Sequence, residues 1–172
     1  IMRIGTGFDN VDIGFARECG IPVTNVPDYG THEVADTTCS MILDLARGLS
    51  MYNHLSKNYK FGWQENFIPE LKRLENHNLG IIGMGRIGTA VGLRMKAFNI
   101  DVAFYDPYVA NGYEKSLGVK RFQSLAELSN YASIISIHTP LTDETMSMVN
   151  QDFINKINPG SILVNTARGR IV

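Results

Sequence analysis

The residues Gly83-Met84-Gly85-Arg86-Ile87-Gly88 follow the apolar run Leu79-Gly80-Ile81-Ile82 and open an amphipathic stretch; the next apolar run, Val102-Ala103-Phe104-Tyr105, closes on an acid, Asp106. The three glycines have separate physical tasks. Gly83 makes a tight turn off a strand, Gly85 lets a pyrophosphate approach the backbone, and Gly88 lets a helix pack closely on a sheet. Free N–H groups at that helix start, with the positive end of its dipole, attract the phosphates. Asp106 stands eighteen residues beyond Gly88, where a carboxylate accepts hydrogen bonds from the adenosine ribose and repels a 2′-phosphate. The spacing therefore predicts NAD as cofactor, in preference to NADP. The plainer reading of Asp106 is a turn or capping carboxylate before Pro107. Arg168 is the other candidate, since a guanidinium beside a bound nicotinamide can grip a carboxylate bidentately and polarise an adjacent carbonyl. Its plainer reading is a surface ion pair of little energy.

Positioning these groups requires a scaffold, and short apolar runs alternate with helical stretches along the chain. Strands are predicted at 2–5, 79–82, 102–105, 119–122, 133–137 and 161–165, with an extended segment at 21–26. A short helix is predicted near Asp12–Cys19, and Thr31 is expected to cap a long one on which Ala35, Ile42, Leu45, Ala46 and Leu49 keep helical spacing. Glu33 and Asp36 in its first turn suit the helix dipole and need no chemistry. A further helix carries Ile87, Ala90, Val91, Met95 and Phe98 on one face, others are expected at 112–117 and 124–128, and 142–157 reads as mostly helical. Between about Tyr59 and Asn78 the periodicity fades, giving a connector in which Trp63 reads as an anchor or a subunit contact. The pattern predicts an α/β fold, a Rossmann-type doubly wound parallel sheet covered on both faces.

In such sheets ligands bind beyond the carboxyl ends of the strands. The residues predicted there are Gly83–Gly88, Asp106-Pro107, His138-Thr139-Pro140 and Thr166-Ala167-Arg168-Gly169. His138 invites assignment as a general acid. His32, His54 and His77 lie in polar surroundings and read as solvated, while Cys39, beside Met41 and Ile42, reads as packed rather than reactive.

Sixteen Lys and Arg against 17 Asp and Glu give a formal charge of −1, which supplies no basic field for nucleic acid or an anionic membrane. With 44% hydrophobic residues the chain can bury a real core. Its two cysteines, Cys19 and Cys39, have no metal-ligand spacing and suggest reduced thiols in a cytoplasmic setting. No apolar run reaches transmembrane length, and the opening Ile1-Met2-Arg3-Ile4-Gly5 is not a signal peptide. Opening inside an apparent strand and stopping at Arg170-Ile171-Val172, the chain reads as an excerpt of a longer protein.

Five motifs in order resemble the D-isomer-specific 2-hydroxyacid dehydrogenase family. They are Gly5-Thr6-Gly7-Phe8-Asp9-Asn10-Val11-Asp12, Glu33-Val34-Ala35-Asp36-Thr37-Thr38, the glycine fingerprint, His138-Thr139-Pro140-Leu141-Thr142 and Val164-Asn165-Thr166-Ala167-Arg168-Gly169. Lys96-Ala97-Phe98 and Phe104-Tyr105-Asp106-Pro107-Tyr108 resemble most the C-terminal-binding-protein branch, with phosphoglycerate dehydrogenases similar. The resemblance implies hydride transfer between C2 of a 2-hydroxy or 2-keto acid and C4 of NAD, in a homodimer. By position it implies that Arg168 binds the substrate carboxylate and keto oxygen, with Thr6 and Gly7 facing substrate and nicotinamide from the other domain. Thr38 would touch the cofactor phosphate side, Arg86 and Ile87 the pyrophosphate, Asp106 the ribose. Thr139 to Thr145, with Pro140 between, would line the adenosine side, and Thr166 and Ala167 the nicotinamide ribose. A carboxylate and an acid/base histidine are expected downstream of Arg168, which makes His138 a cofactor-side residue rather than the proton donor. Residues 1–30 are then the end of a flavodoxin-like substrate domain, and 31–172 an NAD-binding domain lacking its last strands. The alternative is an NAD(H)-sensing interaction protein, because that branch includes corepressors that keep the cofactor site.

Overall fold

The computed structural model describes residues 1–57 and 71–172, so Gly62, Trp63 and Pro69 of the predicted connector lie outside the described residues. At the N-terminus, β1 (Met2–Arg3) and β2 (Thr24–Asn25) pair in parallel, joined through helix α1 (Ile13–Glu18). Asp12 caps α1, its Oδ1 accepting the Phe15 N–H at 2.9 Å. Ile4, Phe8, Phe15 and Val26 of this unit remain exposed.

Helix α2 (Thr31–Arg47) follows. Its N-cap is Gly30, which offers no side chain; Thr31, predicted as the cap, is already helical and its hydroxyl donates to Asp28 Oδ1 at 2.6 Å. The helix also ends earlier than its apolar spacing suggested. Gly48, at φ 63°, breaks the run before α3 (Leu49–Ser56), so the predicted Leu49 starts a new helix and is exposed, as is Leu45.

Five strands form one sheet: β3 (Asn78–Ile82), β4 (Asp101–Tyr105), β5 (Lys120–Arg121), β6 (Ile134–Ile137) and β7 (Ile162–Asn165). Their spatial order is β5-β4-β3-β6-β7 and every pairing is parallel. The helices between them are α4 (Arg86–Lys96), α5 (Tyr113–Leu117), α6 (Leu125–Tyr131) and α7 (Gln151–Ile154). The chain leaves β3 toward β4 on one side and later returns to place β6 on the other. The β3/β6 boundary is therefore the switch point, and a crevice opens beyond its carboxyl ends.

Both faces of the sheet are covered, as the alternation requires. Leu79, Ile81, Val102, Phe104 and Ile134 pack against Ala35, Cys39, Ile42 and Ala46 of α2 and Val91 and Met95 of α4. Ile82, Ala103, Ile135 and Ile137 pack against Leu128, Ala132, Phe153 and Ile171 on the opposite face. Burying each large side chain among these contributes about 1.5–3 kcal/mol. Phe98, predicted on the buried face of α4, lies beyond the helix end and is exposed.

The segment 142–157 departs most from expectation, since only α7 in it is helical. Side chains compete with the helical ladder there: the Thr145 hydroxyl accepts the Thr142 N–H (2.8 Å) and donates to Pro140 O (2.6 Å), and Ser147 takes φ 51°. Ser147 N–H and Val149 N–H instead donate to Arg170 O (2.9 Å) and Ile171 O (3.0 Å).

Candidate functional site

Gly83 leaves β3 at φ +91°, and a Cβ there would lie 2.9 Å from the His138 carbonyl and from Thr139 Cγ2. A Cβ on Gly88 would lie 2.1 Å from Gly83 O. Glycine is thus required twice for the loop to pass between strand and helix. At Gly85 the situation reverses, with open space around the missing Cβ. Gly85 is also the N-cap of α4 and caps nothing with a side chain, and the first intrahelical bond to its carbonyl comes from Thr89 N–H at 2.9 Å. The first-turn N–H groups of Arg86, Ile87 and Gly88 have no partner within the helix, at the positive end of an eleven-residue helix. Arg86 is exposed, Ile87 half-buried and Gly88 buried.

Asp106 stands at the end of β4 across from this turn. Its Oδ2 accepts the Met84 N–H and its Oδ1 the Tyr108 N–H, each at 2.8 Å. Exposed Pro107 follows it, and the Tyr108 hydroxyl donates to the Glu144 carboxylate, bridging the loops after β4 and β6. Behind the Asp106 loop sits Arg121, a residue that sequence reasoning missed. It donates to the carbonyls of Asp106 and Val109, both at 2.9 Å, and of Ala110 at 3.2 Å, with Glu114 3.8 Å away. No local periodicity signals such a support, because it sits on a strand of only two residues, Lys120 and Arg121.

Beyond β6, the His138 ring shares a 2.8 Å hydrogen bond between Nε2 and Ser136 Oγ, and burial pushes its pKa down to about 4. The imidazole is neutral near pH 7. Thr139 Oγ1 next to it is buried without a hydrogen-bond partner among the described residues, an orphan hydroxyl at the edge of the fingerprint turn. Pro140 is exposed, and Thr145 spends its hydroxyl on the loop itself.

Beyond β7, Asn165 shapes the turn: its Oδ1 accepts the Ala167 N–H (3.0 Å) and its Nδ2 donates to Arg168 O (2.8 Å). Thr166 shares a 2.8 Å hydroxyl bond with Thr38, which is fully buried and also donates to Val34 O. Thr38 therefore supports Thr166 from below and presents no surface of its own. Arg168 is half-buried, its Nε donating to Asp9 Oδ1 at 2.9 Å. That bond holds the Asp9 carboxyl below its usual range. Gly7 lies against the guanidinium, and exposed Thr6 donates weakly to Val26 O and Pro27 O at 3.4 Å each. Asp9 was not singled out by sequence reasoning, although it sits inside the Gly5–Asp12 motif.

The remaining histidines divide. His54 is exposed and His32 bonds Arg94 at 3.2 Å, whereas His77, expected in solvent, is buried with Nδ1 3.0 Å from Ser133 Oγ. The expectation fails because the central strand β3 begins immediately after it and draws it against Ser133, just before the neighbouring β6. Asp36 pairs with Arg94 at 2.7 Å, and burial raises the Cys39 thiol pKa. Among the described residues no group of three or more His, Cys, Asp or Glu is arranged to hold a metal, and no helix is long and apolar enough to cross a membrane.

A parallel sheet in this order, with a glycine turn feeding an uncapped helix start at its switch point and an acid at the next strand end, defines a dinucleotide-binding Rossmann domain. Residues 39–172 match the family described as "D-isomer specific 2-hydroxyacid dehydrogenase, NAD binding domain", and the chain belongs to that family. C-terminal-binding protein 1 of Caenorhabditis elegans is 37% identical across all of this chain and 24% of its own length. D-3-phosphoglycerate dehydrogenase of Methanocaldococcus jannaschii is 35% identical, again across all of this chain and 32% of its own. Among solved structures, D-lactate dehydrogenase from Aquifex aeolicus, complexed with NAD and lactic acid, superposes with a TM-score of 0.89 at 35% identity, covering 99% of this chain and 51% of that one. The chain thus spans about a quarter to a third of these curated relatives and about half of the solved one. Its cofactor is NAD, and the residues fit it: open space at Gly85, free first-turn N–H groups, the orphan Thr139 hydroxyl and Asp106 all stand just beyond the carboxyl ends of β3, β4 and β6.

Proposed function

We propose that the protein is an NAD-dependent oxidoreductase interconverting a D-2-hydroxy acid and its 2-keto acid. One observation carries this reading: a half-buried guanidinium, Arg168, stands at a strand end beside the cofactor crevice and meets a loop from the N-terminal unit. NAD when bound accepts or donates the hydride exchanged with C2 of the acid. Arg168 binds the acid's carboxylate and polarises its keto oxygen, and Thr6 and Gly7 wall the substrate from the opposite side. Asp106 and Pro107 hold the adenosine ribose, Gly83–Gly88 with Arg86 and Ile87 the pyrophosphate. His138, Thr139, Pro140 and Thr145 line the adenosine side, Thr166 and Ala167 the nicotinamide ribose, and Thr38 acts through Thr166. His138, with its pKa near 4, is unsuited to donating a proton at neutral pH. The family resemblance assigns proton transfer to a different histidine paired with a carboxylate.

Residues 1–30 belong on this reading to the substrate domain, to which their exposed Ile4, Phe8 and Phe15 are suited, and 31–172 to the NAD-binding domain. Exposed Met41, Leu45, Leu49 and Met51 on α2 and α3 suit a homodimer contact. Two unpaired thiols, Cys19 and Cys39, suit a cytoplasmic setting. A formal charge of −1 supplies no net basic field for nucleic acid or an anionic membrane.

Arg168→Ala in the full-length protein is expected to lower turnover of pyruvate or glyoxylate about 10²–10³-fold, with NADH affinity nearly unchanged. Steady-state kinetics beside a direct NADH titration separates the two. The likeness to a C-terminal-binding protein favours one second reading, an NAD(H)-sensing interaction protein. Tight NADH binding with no reduction of either acid, and no effect of Arg168→Ala, would decide for it.

A further inference from the structure

We propose that Asp9 is a positioning residue for Arg168, holding the guanidinium by its Nε edge so that Nη2 is left to donate to the substrate. The inference rests on the reading of Arg168 above and concerns how that cation is aimed. Two hydrogen bonds define its pose. Nε donates to Asp9 Oδ1 at 2.9 Å across 159 residues of sequence, and Nη1 donates to the carbonyl of its own neighbour Ala167 at 2.8 Å. Nη2 has no hydrogen bond among the described residues, and it lies 1.5 Å from where a Cβ on Gly7 would sit. Gly7 therefore clears the path that the guanidinium takes toward Asp9.

The edge that Asp9 uses decides the argument. A carboxylate gripping both terminal nitrogens in a fork would saturate the face that recognises a 2-keto acid, whereas an Nε contact leaves Nη2 hydrogens to donate. The pair is also too exposed to matter as a stabilising salt bridge, with side chains 39% and 33% accessible. What it restricts is orientation. Its two halves come from different units, Asp9 from the loop after β1 and Arg168 from the loop after β7. The cation is consequently aimed only when the N-terminal unit sits against the sheet, which ties the geometry of the reaction to domain closure.

Full-length Asp9→Asn is expected to lower turnover of pyruvate or glyoxylate about 10- to 100-fold, with the NADH dissociation constant within about twofold of wild type. Asp9→Glu, which keeps a carboxylate, should recover much of that loss. Lysine has no Nε–H to be held in this way, so in an Arg168→Lys background Asp9→Asn should cost less than about twofold more. Independently of substrate, the Arg168 Nε–H resonance should shift and exchange faster with solvent in Asp9→Asn. An unchanged Nε–H signal, or an equal loss of turnover in both backgrounds, overturns the proposal. Failure of the wild type to reduce either acid overturns the reading of the reaction instead, and the Nε–H signal then decides the role of Asp9 alone.

Discussion

A histidine at a strand end beside a cofactor crevice can be a proton donor or a strut, and burial decides which. His138 bonds Ser136 inside the sheet, and its pKa has dropped from the ordinary 6.5 to about 4. The unfolded chain takes up a proton near pH 6.5 while the folded one resists until about pH 4. Stability is thus complete above pH 6.5, is lost as the pH falls from there to 4, and loses nothing further from this group below. The drop amounts to at most about 3 kcal/mol. Chemical denaturation at a series of pH values should show a shallower acid decline in His138→Asn, with the buried His77, whose pKa is lowered in the same sense, supplying part of what remains. Asp106 permits a similarly direct check. Both its oxygens already accept backbone N–H groups, which fixes the carboxylate where a 2′-phosphate would approach. Asp106→Ser should narrow the preference for NADH over NADPH by about tenfold or more, read from paired cofactor titrations; equal affinities in the wild type would remove Asp106 from the role.

Helix α4 comes closest to the turn that leaves β3 at Gly88, where an added Cβ would lie 2.1 Å from Gly83 O. A methyl there has no flexible neighbour to displace, so Gly88→Ala should cost about 1–3 kcal/mol or more and weaken NADH binding, because the helix that lifts away carries the phosphate-facing N–H groups. A thermal melt and a titration of one variant check both. This contact belongs to the part of the molecule that was legible in sequence. The parallel order of the sheet, its strands and the fingerprint turn all follow from apolar runs broken by glycine at fixed spacing. Less legible were features in which a side chain overrides local pattern. Thr145 unwinds a segment with helical composition, Gly48 splits an apolar helix, and Gly30 takes the capping place expected of Thr31. Two supports of the candidate site were invisible for a different reason. Asp9 reaches Arg168 across almost the whole chain, and Arg121 props the Asp106 loop from a strand too short for periodicity.

The two loops that border the crevice beyond β6 and β7 are separate in sequence yet joined in space. The Ser147 and Val149 amides bond the Arg170 and Ile171 carbonyls, and Thr166, at the start of the same C-terminal stretch, rests on Thr38 of α2. One loop lines the proposed adenosine side and the other the proposed nicotinamide side, so the groove has a common floor rather than two independent rims. A ligand that fills only one end should therefore stiffen the other. ADP-ribose, which lacks the nicotinamide, is expected to slow amide hydrogen exchange at Ser147 and Val149 and also across 166–171, while protection confined to the adenosine loop would show that the seam does not transmit. The consequence is acoustic in kind: the cofactor's inert half would tune the surface on which its reactive half is received, as a finger on one part of a string sets the pitch of the rest.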